Sequence, residues 1–281
     1  MKKCLSACLL LLLQHAAMAA IPQSPLAARF SWPLRVDSNA VFRLPEQSMI
    51  ALIGEITPDS VDSLTRILPG ASAPTTLYID SGGGDMRSAL RLANFVRDHD
   101  IRVVVVGRCF SACAHYVFSG ARRKEATPGS LVGIHSKRFY YQDGDKILAL
   151  NTSVDKDRAK IMAEPVSRRQ YGELLRLERE FYAKAGIASG YHDAYAAFDA
   201  ARSPVQAANC RNVDLWILSR SQLEAMGVKG FGAFWAPASA AEARSTAVKL
   251  GMPENRIFFG SPTELAALCK PTLMERLRAW F

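Results

Sequence analysis

The chain has 281 residues, of which 49% are hydrophobic and 22% are charged. This composition is typical of a globular protein with enough apolar residues for a large core, and it argues against extensive disorder. No apolar run reaches the roughly 20 residues that a membrane-spanning helix needs. The formal net charge is +9 without any tract of five or more like charges, so the sequence predicts no nucleic-acid-binding arm.

Residues 1–19 have the pattern of a secretory signal peptide. A short positive region precedes an apolar stretch, and Ala17 and Ala19 then occupy the small-residue positions that a signal peptidase reads. We expect cleavage after Ala19 and a periplasmic or secreted mature protein. Two alternatives are a lipoprotein cleavage box that ends at Cys8 and an uncleaved amino-terminal anchor, although the apolar stretch is short for a membrane span.

Strand and helix patterns alternate from residue 49 to residue 135. Residues 20–45 show no clear period and predict an extended leader. The predicted strands are 49–56, 76–79, 101–106 and 131–134, and the predicted helices are 59–68, a segment after the glycines at 82–84, and 110–118. This alternation predicts parallel strands that are joined by crossover helices.

The second half of the chain has a different pattern. Residues 139–150 contain two strand-like pieces around Asp143-Gly144-Asp145, which predict a hairpin or a projecting arm. A long amphipathic helix is predicted over 165–186, and a short strand over 215–218, followed by a helix that Ser219 caps. Two further helical patterns predict that 231–281 forms a carboxy-terminal helical extension.

Export changes how the cysteines are interpreted. Cys109, Cys113, Cys210 and Cys269 remain in the mature chain, and an even number of cysteines in an oxidising compartment predicts disulfides. Three pairings are possible, and we favour Cys109–Cys113 with Cys210–Cys269. The first pair would close a short loop around Ser111, and the second would link the carboxy-terminal segment to the main body. A zinc site is the alternative, but the CxxxC spacing has no matching second half, so no metal is predicted.

Three features that can support chemistry stand at the ends of predicted strands, where open α/β sheets place their sites. They are the glycines at 82–84, Ser111 between its two cysteines, and His135. Backbone N–H groups of a glycine turn can hold an oxyanion, and a histidine can take the proton of a serine hydroxyl. Each feature alone is a weak signal, because such residues most often form turns, helix caps or packing contacts. Their ordered combination is more specific.

This combination resembles the proteolytic subunit of the Clp protease and its superfamily, which includes crotonases and signal peptide peptidase A. Residues 77–84 are similar to that family's strand with a glycine turn, 107–112 to its nucleophile segment, 131–135 to its Met-Ile-His segment, and 218–227 to a later strand and helix. The resemblance implies an α/β fold of the ClpP/crotonase-like ββα spiral type, with a ClpP-like domain over 46–230.

The resemblance also implies roles for individual residues. Ser111 would be the nucleophile and His135 the general base, and they are separated by 24 residues, close to the family's spacing. Gly84 and Ala112 would supply the oxyanion N–H groups. His115 follows Ser111 by one helical turn and is interpreted as a packing residue.

The third catalytic residue departs from the family pattern. The family has an aspartate shortly before the later strand, and the matching position in this chain is near Arg211, which is not an acid. Asn212 and Asp214 are close neighbours that could orient His135, and Asp214 is the candidate for the third member. Without an acid partner the imidazolium is less well stabilised and activity should fall.

The sequence therefore predicts an exported serine peptidase that cleaves peptides or unfolded segments through an acyl-enzyme on a Ser-His pair. The alternatives are a catalytically silent ClpP-like scaffold and a crotonase-like acyl-CoA enzyme, although CoA is not expected outside the cytoplasm. No cofactor is predicted, and no ATPase partner is expected after export. The superfamily implies a homo-oligomer, for which the 139–150 arm is a docking candidate or a site of substrate strand addition.

Overall fold

The computed structural model describes residues 40–44, 49–67, 76–135, 138–143, 146–152, 155–188, 198, 210 and 212–278. The predicted signal peptide and most of the predicted leader lie outside these residues. Within the described ranges, no helix is both long enough and apolar enough to cross a membrane.

The architecture is a mixed α/β arrangement around a nine-stranded, mostly parallel sheet. The strands of this sheet are β1 Ala40–Leu44, β2 Met49–Ile53, β3 Thr76–Ser81, β4 Arg102–Phe110, β5 Lys124–Ala126, β6 Leu131–Ile134, β9 Leu215–Ile217, β10 Phe231–Phe234 and β11 Ile257–Phe259. The strand order is β1-β2-β3-β4-β6-β9-β11, and β5 pairs with both β4 and β10. The pairs β1–β2 and β6–β9 are antiparallel, and the other pairs are parallel.

Helices connect the strands, and a two-stranded hairpin stands apart from the main sheet. The helices are α1 Pro58–Ile67, α2 Met86–Asp98, a π-helix Cys113–Phe118, α3 Asp155–Ala163, α4 Pro165–Ala185, α5 Arg220–Ala225, α6 Ala240–Lys249, a 3-10 turn Glu254–Arg256, α7 Pro262–Leu268 and α8 Leu273–Arg278. The hairpin consists of β7 Arg138–Asp143 and β8 Lys146–Asn151 and confirms the prediction of a hairpin in this segment.

The centre of the sheet is buried on both faces. Val103 and Val105 of β4 pack in the main core, whereas Val104 and Val106 pack in a second cluster with Met49 and neighbouring strand residues. Successive side chains of a strand point to opposite faces, so an unbroken valine run is apolar on both. The run at 101–106 therefore predicts a central strand correctly.

Strand β4 continues four residues beyond the predicted end at Val106. A Cβ at Gly107 would lie 2.6 Å from the Asp80 carboxyl carbon, so the glycine makes room for a buried acid. The Asp80 carboxylate accepts hydrogen bonds from the Arg108 backbone N–H (2.9 Å) and Nε (2.8 Å). From Arg108 to Phe110, β4 also pairs with β6, and the predicted 110–118 helix begins correspondingly later.

The ends of the domain also differ from the predictions. Residues 40–44 of the predicted leader form β1, an edge strand that pairs with β2. The segment from residue 231 was predicted to be helical with two helical patterns, but it contains three helices, α6 to α8, together with β10 and β11, which join the main sheet. The sequence analysis missed both strands because each is only three or four residues long and takes its stability from its partner strand.

Both predicted disulfides are present. Cys109 is bonded to Cys113 across the turn after β4, and Cys210 is bonded to Cys269 across 59 residues of chain. The second bond links the end of α7 to the segment before β9. The cysteine pairing is thus confirmed.

Candidate active site

The glycine turn follows β3 and is fixed on both sides by backbone hydrogen bonds. The Ser81 hydroxyl accepts from the Gly83 N–H (3.1 Å). Ile56 donates its N–H to the Gly83 carbonyl (2.7 Å) and accepts from the Asp85 N–H (2.8 Å). This pairing directs the Gly84 N–H away from Ile56, and none of these bonds uses it. Gly84 lines the cavity described below, and its oxyanion role stays a prediction.

Gly83 packs directly against the turn that contains Ser111. A Cβ added to Gly83 would lie 2.7 Å from the Ser111 Cβ, 2.8 Å from the Phe110 carbonyl oxygen and 3.0 Å from the Ala112 nitrogen. Gly83 also has φ +103°, a conformation that favours glycine. Only glycine therefore allows the two turns to approach this closely.

Ser111 occupies the sharp turn between β4 and the π-helix, with φ +53°. Its N–H donates to the Gly133 carbonyl of the neighbouring strand β6 (3.1 Å), and its carbonyl accepts from the His115 N–H (2.8 Å). The Cys109–Cys113 disulfide closes around it. A non-glycine residue in this conformation is strained, and such residues concentrate at functional sites.

His135 follows β6 directly and lies at the same edge of the sheet as Ser111. The two strands are parallel, with Phe110 opposite Gly133, so both side chains leave the carboxyl ends of neighbouring strands. Ser111 and His135 line one cavity together with the glycine turn. The structure thus brings together the three features that the sequence analysis singled out.

The cavity has a volume of about 610 Å³. One side is formed by the glycine turn and by the loop between β2 and α1, and another by residues near the hairpin and by α4. Its lining residues are Glu55, Ile56, Thr57, Gly82, Gly83, Gly84, Asp85, Met86, Ser111, His135, Phe139, Tyr140, Thr152, Tyr171, Leu174, Leu175 and Glu178. Burial raises the pKa of Tyr171, so this phenol is neutral at physiological pH.

Asp214 is not among the lining residues. Its carboxylate forms an ion pair with Arg256, in which Nε donates to Oδ1 at 3.2 Å, and its N–H donates to the Arg256 carbonyl. This carboxylate raises the pKa of Arg256 through a hydrogen bond. Arg211 lies outside the described residues, and Asn212 is exposed. The role of Asp214 as third member stays a prediction.

Two other predicted residues also lie outside the lining. Ala112 is buried at the start of the π-helix, and its nitrogen lies beside Gly83. His115 is 2% exposed and sits within the π-helix, where its ring lies 5.9 Å from that of Tyr116. This burial agrees with the interpretation of His115 as a packing residue.

The sequence analysis missed Glu178 of α4. Glu178 is only 1% exposed, lines the cavity, and accepts a hydrogen bond from the Tyr116 hydroxyl at 2.7 Å. A signal was available, because Glu178 falls within the apolar stripe of α4, four residues after Leu174 and three before Phe181. A charge at a buried helical position is uncommon and points to a specific role.

In the part of the chain that the structure describes, no group of three or more His, Cys, Asp or Glu side chains is arranged to hold a metal ion.

No protein-family model matches this sequence, and no curated protein matches it significantly. Among solved structures, a mutant of ClpP1 from Listeria monocytogenes is similar, with a TM-score of 0.40 and 14% sequence identity. The similarity covers 69% of this chain and 94% of that chain. The function is therefore inferred from the site itself.

Proposed function

We propose that this protein is a serine peptidase of ClpP-like fold that forms an acyl-enzyme on Ser111. One observation carries the proposal: Ser111 stands at positive φ in a strand-to-helix turn, against a glycine turn, in the same cavity as His135. A serine on such a turn exposes its Oγ, and this geometry recurs in enzymes with a serine nucleophile. A serine that served only as a helix cap would not need the strained conformation.

Each residue then has a defined role in the reaction. His135 takes the proton of the Ser111 hydroxyl while Oγ bonds to the carbonyl carbon of the peptide. The N–H groups of Gly84 and Ala112 stabilise the resulting oxyanion. His135 gives the proton to the amine as the C–N bond breaks. A water molecule then hydrolyses the acyl-enzyme, with His135 again as base, and releases the acid and free Ser111.

We further propose that the mature protein acts outside the cytoplasm and assembles with copies of itself. The signal-peptide pattern and the two disulfides support export, because disulfides persist in oxidising compartments. Assembly follows from the sequence resemblance described above. A ring-forming ATPase is not required for an enzyme that acts on short or already unfolded peptides.

A catalytically silent scaffold is the second candidate. The specific observation in its favour is that the Asp214 carboxylate is engaged by Arg256. If no other acid stabilises His135, the base is weaker, and binding would remain as the function of the cavity.

Labelling with a fluorophosphonate probe distinguishes the two candidates. We expect wild-type protein to be labelled, Ser111→Ala to be unlabelled, and His135→Ala to react at least about 1,000-fold more slowly, since a serine hydroxyl needs its base. Ser221→Ala and His99→Ala, both at exposed positions, serve as matched controls that should react like wild type. Absence of labelling in oxidised and reduced wild-type protein alike would overturn the peptidase proposal in favour of the scaffold.

A further inference from the structure

Glu178 of α4 is buried and is one of the residues that line the candidate active site. This helix crosses beside the π-helix, so that the Tyr116 hydroxyl donates to Glu178 Oε1 at 2.7 Å. The hydrogen bond fixes the orientation of the carboxylate, and a carboxylate can accept further donors besides this one. The mechanism proposed above makes no use of Glu178.

The cavity has the opposite charge to the chain as a whole. The chain carries a net charge of +9, yet the described lining residues include three carboxylates, Glu55, Asp85 and Glu178, and no lysine or arginine. Asp85 caps α2 by accepting from the Ser88 N–H (2.7 Å) and so serves the fold, and it also lines the cavity. A concave site lined by one sign of charge concentrates ligands of the other sign. The cavity is therefore suited to a cation.

Apolar side chains form much of the remaining lining. They come from the loop before α1, from α2, from the hairpin and from α4, and they are Ile56, Met86, Phe139, Tyr171, Leu174 and Leu175. An apolar wall with a buried carboxylate matches the side chains of lysine and arginine, which combine an aliphatic stem with a charged head. A neutral side chain would bring no positive charge to the carboxylates of the lining, and an acidic side chain would be repelled.

We propose that the cavity selects peptides with a lysine or arginine beside the scissile bond, and that Glu178 is the residue that determines this specificity. The inference rests on the proposed peptidase function. Glu178 recognises the cationic head, the aromatic and aliphatic residues hold the stem, and the carbonyl of the same residue lies at Ser111. The basic surface of the protein then has no part in substrate choice, which is decided inside the cavity.

Matched peptides test the specificity. We would measure kcat/KM for three fluorogenic peptides that differ only in the residue before the scissile bond: lysine, norleucine or glutamate. Wild type should prefer lysine to norleucine at least about 10-fold, and Glu178→Gln should bring this ratio close to 1. Glu180→Gln, an exposed change on the same helix, should keep the wild-type ratio. Preference for norleucine in wild type, or a lysine preference that survives in Glu178→Gln, would overturn the proposal.

A binding measurement separates this inference from the peptidase proposal. The fluorescent cation 4-aminobenzamidine should bind to Ser111→Ala protein, and its affinity should fall at least about 10-fold in the Ser111→Ala, Glu178→Gln double variant. If the Glu178→Gln variant fails to fold, wild-type protein supplies the test. The same cation should then protect Ser111 from labelling by the fluorophosphonate. If Ser111 proves unreactive but the cation still binds through Glu178, the peptidase proposal is overturned and the proposed cation site is supported. If the cation binds to neither of the two variants, the proposed cation site is overturned, whether or not Ser111 reacts with the probe.

Discussion

At the scale of single residues, two adjacent glycines of the glycine turn, Gly82 and Gly83, have different surroundings. Gly83 has φ +103° and no room for a Cβ, since Ser111 and Phe110 lie within 3 Å of its position. Gly82 is exposed, and a Cβ there would meet nothing within 4 Å. Substitution by alanine therefore has a steric cost at Gly83 and none at Gly82.

We expect Gly83→Ala to slow fluorophosphonate labelling of Ser111 at least about 10-fold and to destabilise the fold by about 1–3 kcal/mol, because the backbone is strained and the Ser111 turn must move. Gly82→Ala should leave the labelling rate unchanged and change stability by less than about 1 kcal/mol. Labelling kinetics and urea unfolding measure the two effects. Equal labelling rates in both variants would show that the contact between the turns has no role in reactivity.

At the scale of elements, the segment from β4 through the Ser111 turn to the π-helix is the part of the fold that presents the serine. The Cys109–Cys113 disulfide spans this segment locally, whereas Cys210–Cys269 closes a loop of 59 residues. In the chain-entropy description, a longer loop contributes more to global stability. The two disulfides should therefore have separable effects.

Replacing Cys210 and Cys269 by alanine should cost about 4 kcal/mol of unfolding free energy, against about 2 kcal/mol for Cys109 and Cys113. Labelling of Ser111 should instead be slowed more by the loss of Cys109–Cys113, because only this disulfide spans the Ser111 turn. Urea unfolding and probe labelling of the two double variants check both halves of this prediction. A larger loss of labelling without Cys210–Cys269 would contradict the bracing role.

At the scale of the whole molecule, the carboxy-terminal segment completes the sheet at two places. β10 pairs with β5, and β11 pairs with β9. Lys124 of β5 stands at the first junction, where its ammonium donates to the carbonyls of Ser119 (2.9 Å) and of Lys229, just before β10. It also lies 5.4 Å from the centre of the Phe231 ring. One buried lysine thus joins β5 and the end of the nearby π-helix to a segment 105 residues away in the sequence.

Burial, together with the charge of Arg97, lowers the pKa of Lys124 from 10.5 to about 7. Between pH 7 and pH 10.5 the unfolded chain therefore binds more protons at this residue than the folded chain, so its contribution to stability rises with pH. Relative to Lys124→Met, wild type should gain up to about 1.4 kcal/mol per pH unit above pH 7. Urea unfolding of both proteins at pH 6, 7.5 and 9 measures this difference. Parallel stability profiles would contradict the lowered pKa.

The resemblance to the Clp protease subunit rests on short sequence segments, and the candidate chemistry depends on the same segments. The glycines at 82–84, Ser111 and His135 each follow a strand that its own apolar run predicts, and parallel strands bring their ends to one edge. The position of Glu178 within the apolar stripe of α4 signals that it is buried, but only the packing of this helix shows that it lines the cavity. The partner of Asp214 could not be predicted either, since Arg256 is 42 residues away.

Among three possible cysteine pairings the sequence favoured the observed one, and by itself it determined the alternation of strands and helices, the hairpin and the order of the candidate serine and histidine. These features follow from local periodicity, turn residues and spacing. Tertiary structure alone decided that β4 continues past Gly107, that short carboxy-terminal strands join the sheet, and that an acidic cavity forms in a basic chain. Each of these depends on contacts between residues distant in sequence, and the free energy of such contacts is realised only when both partners are packed.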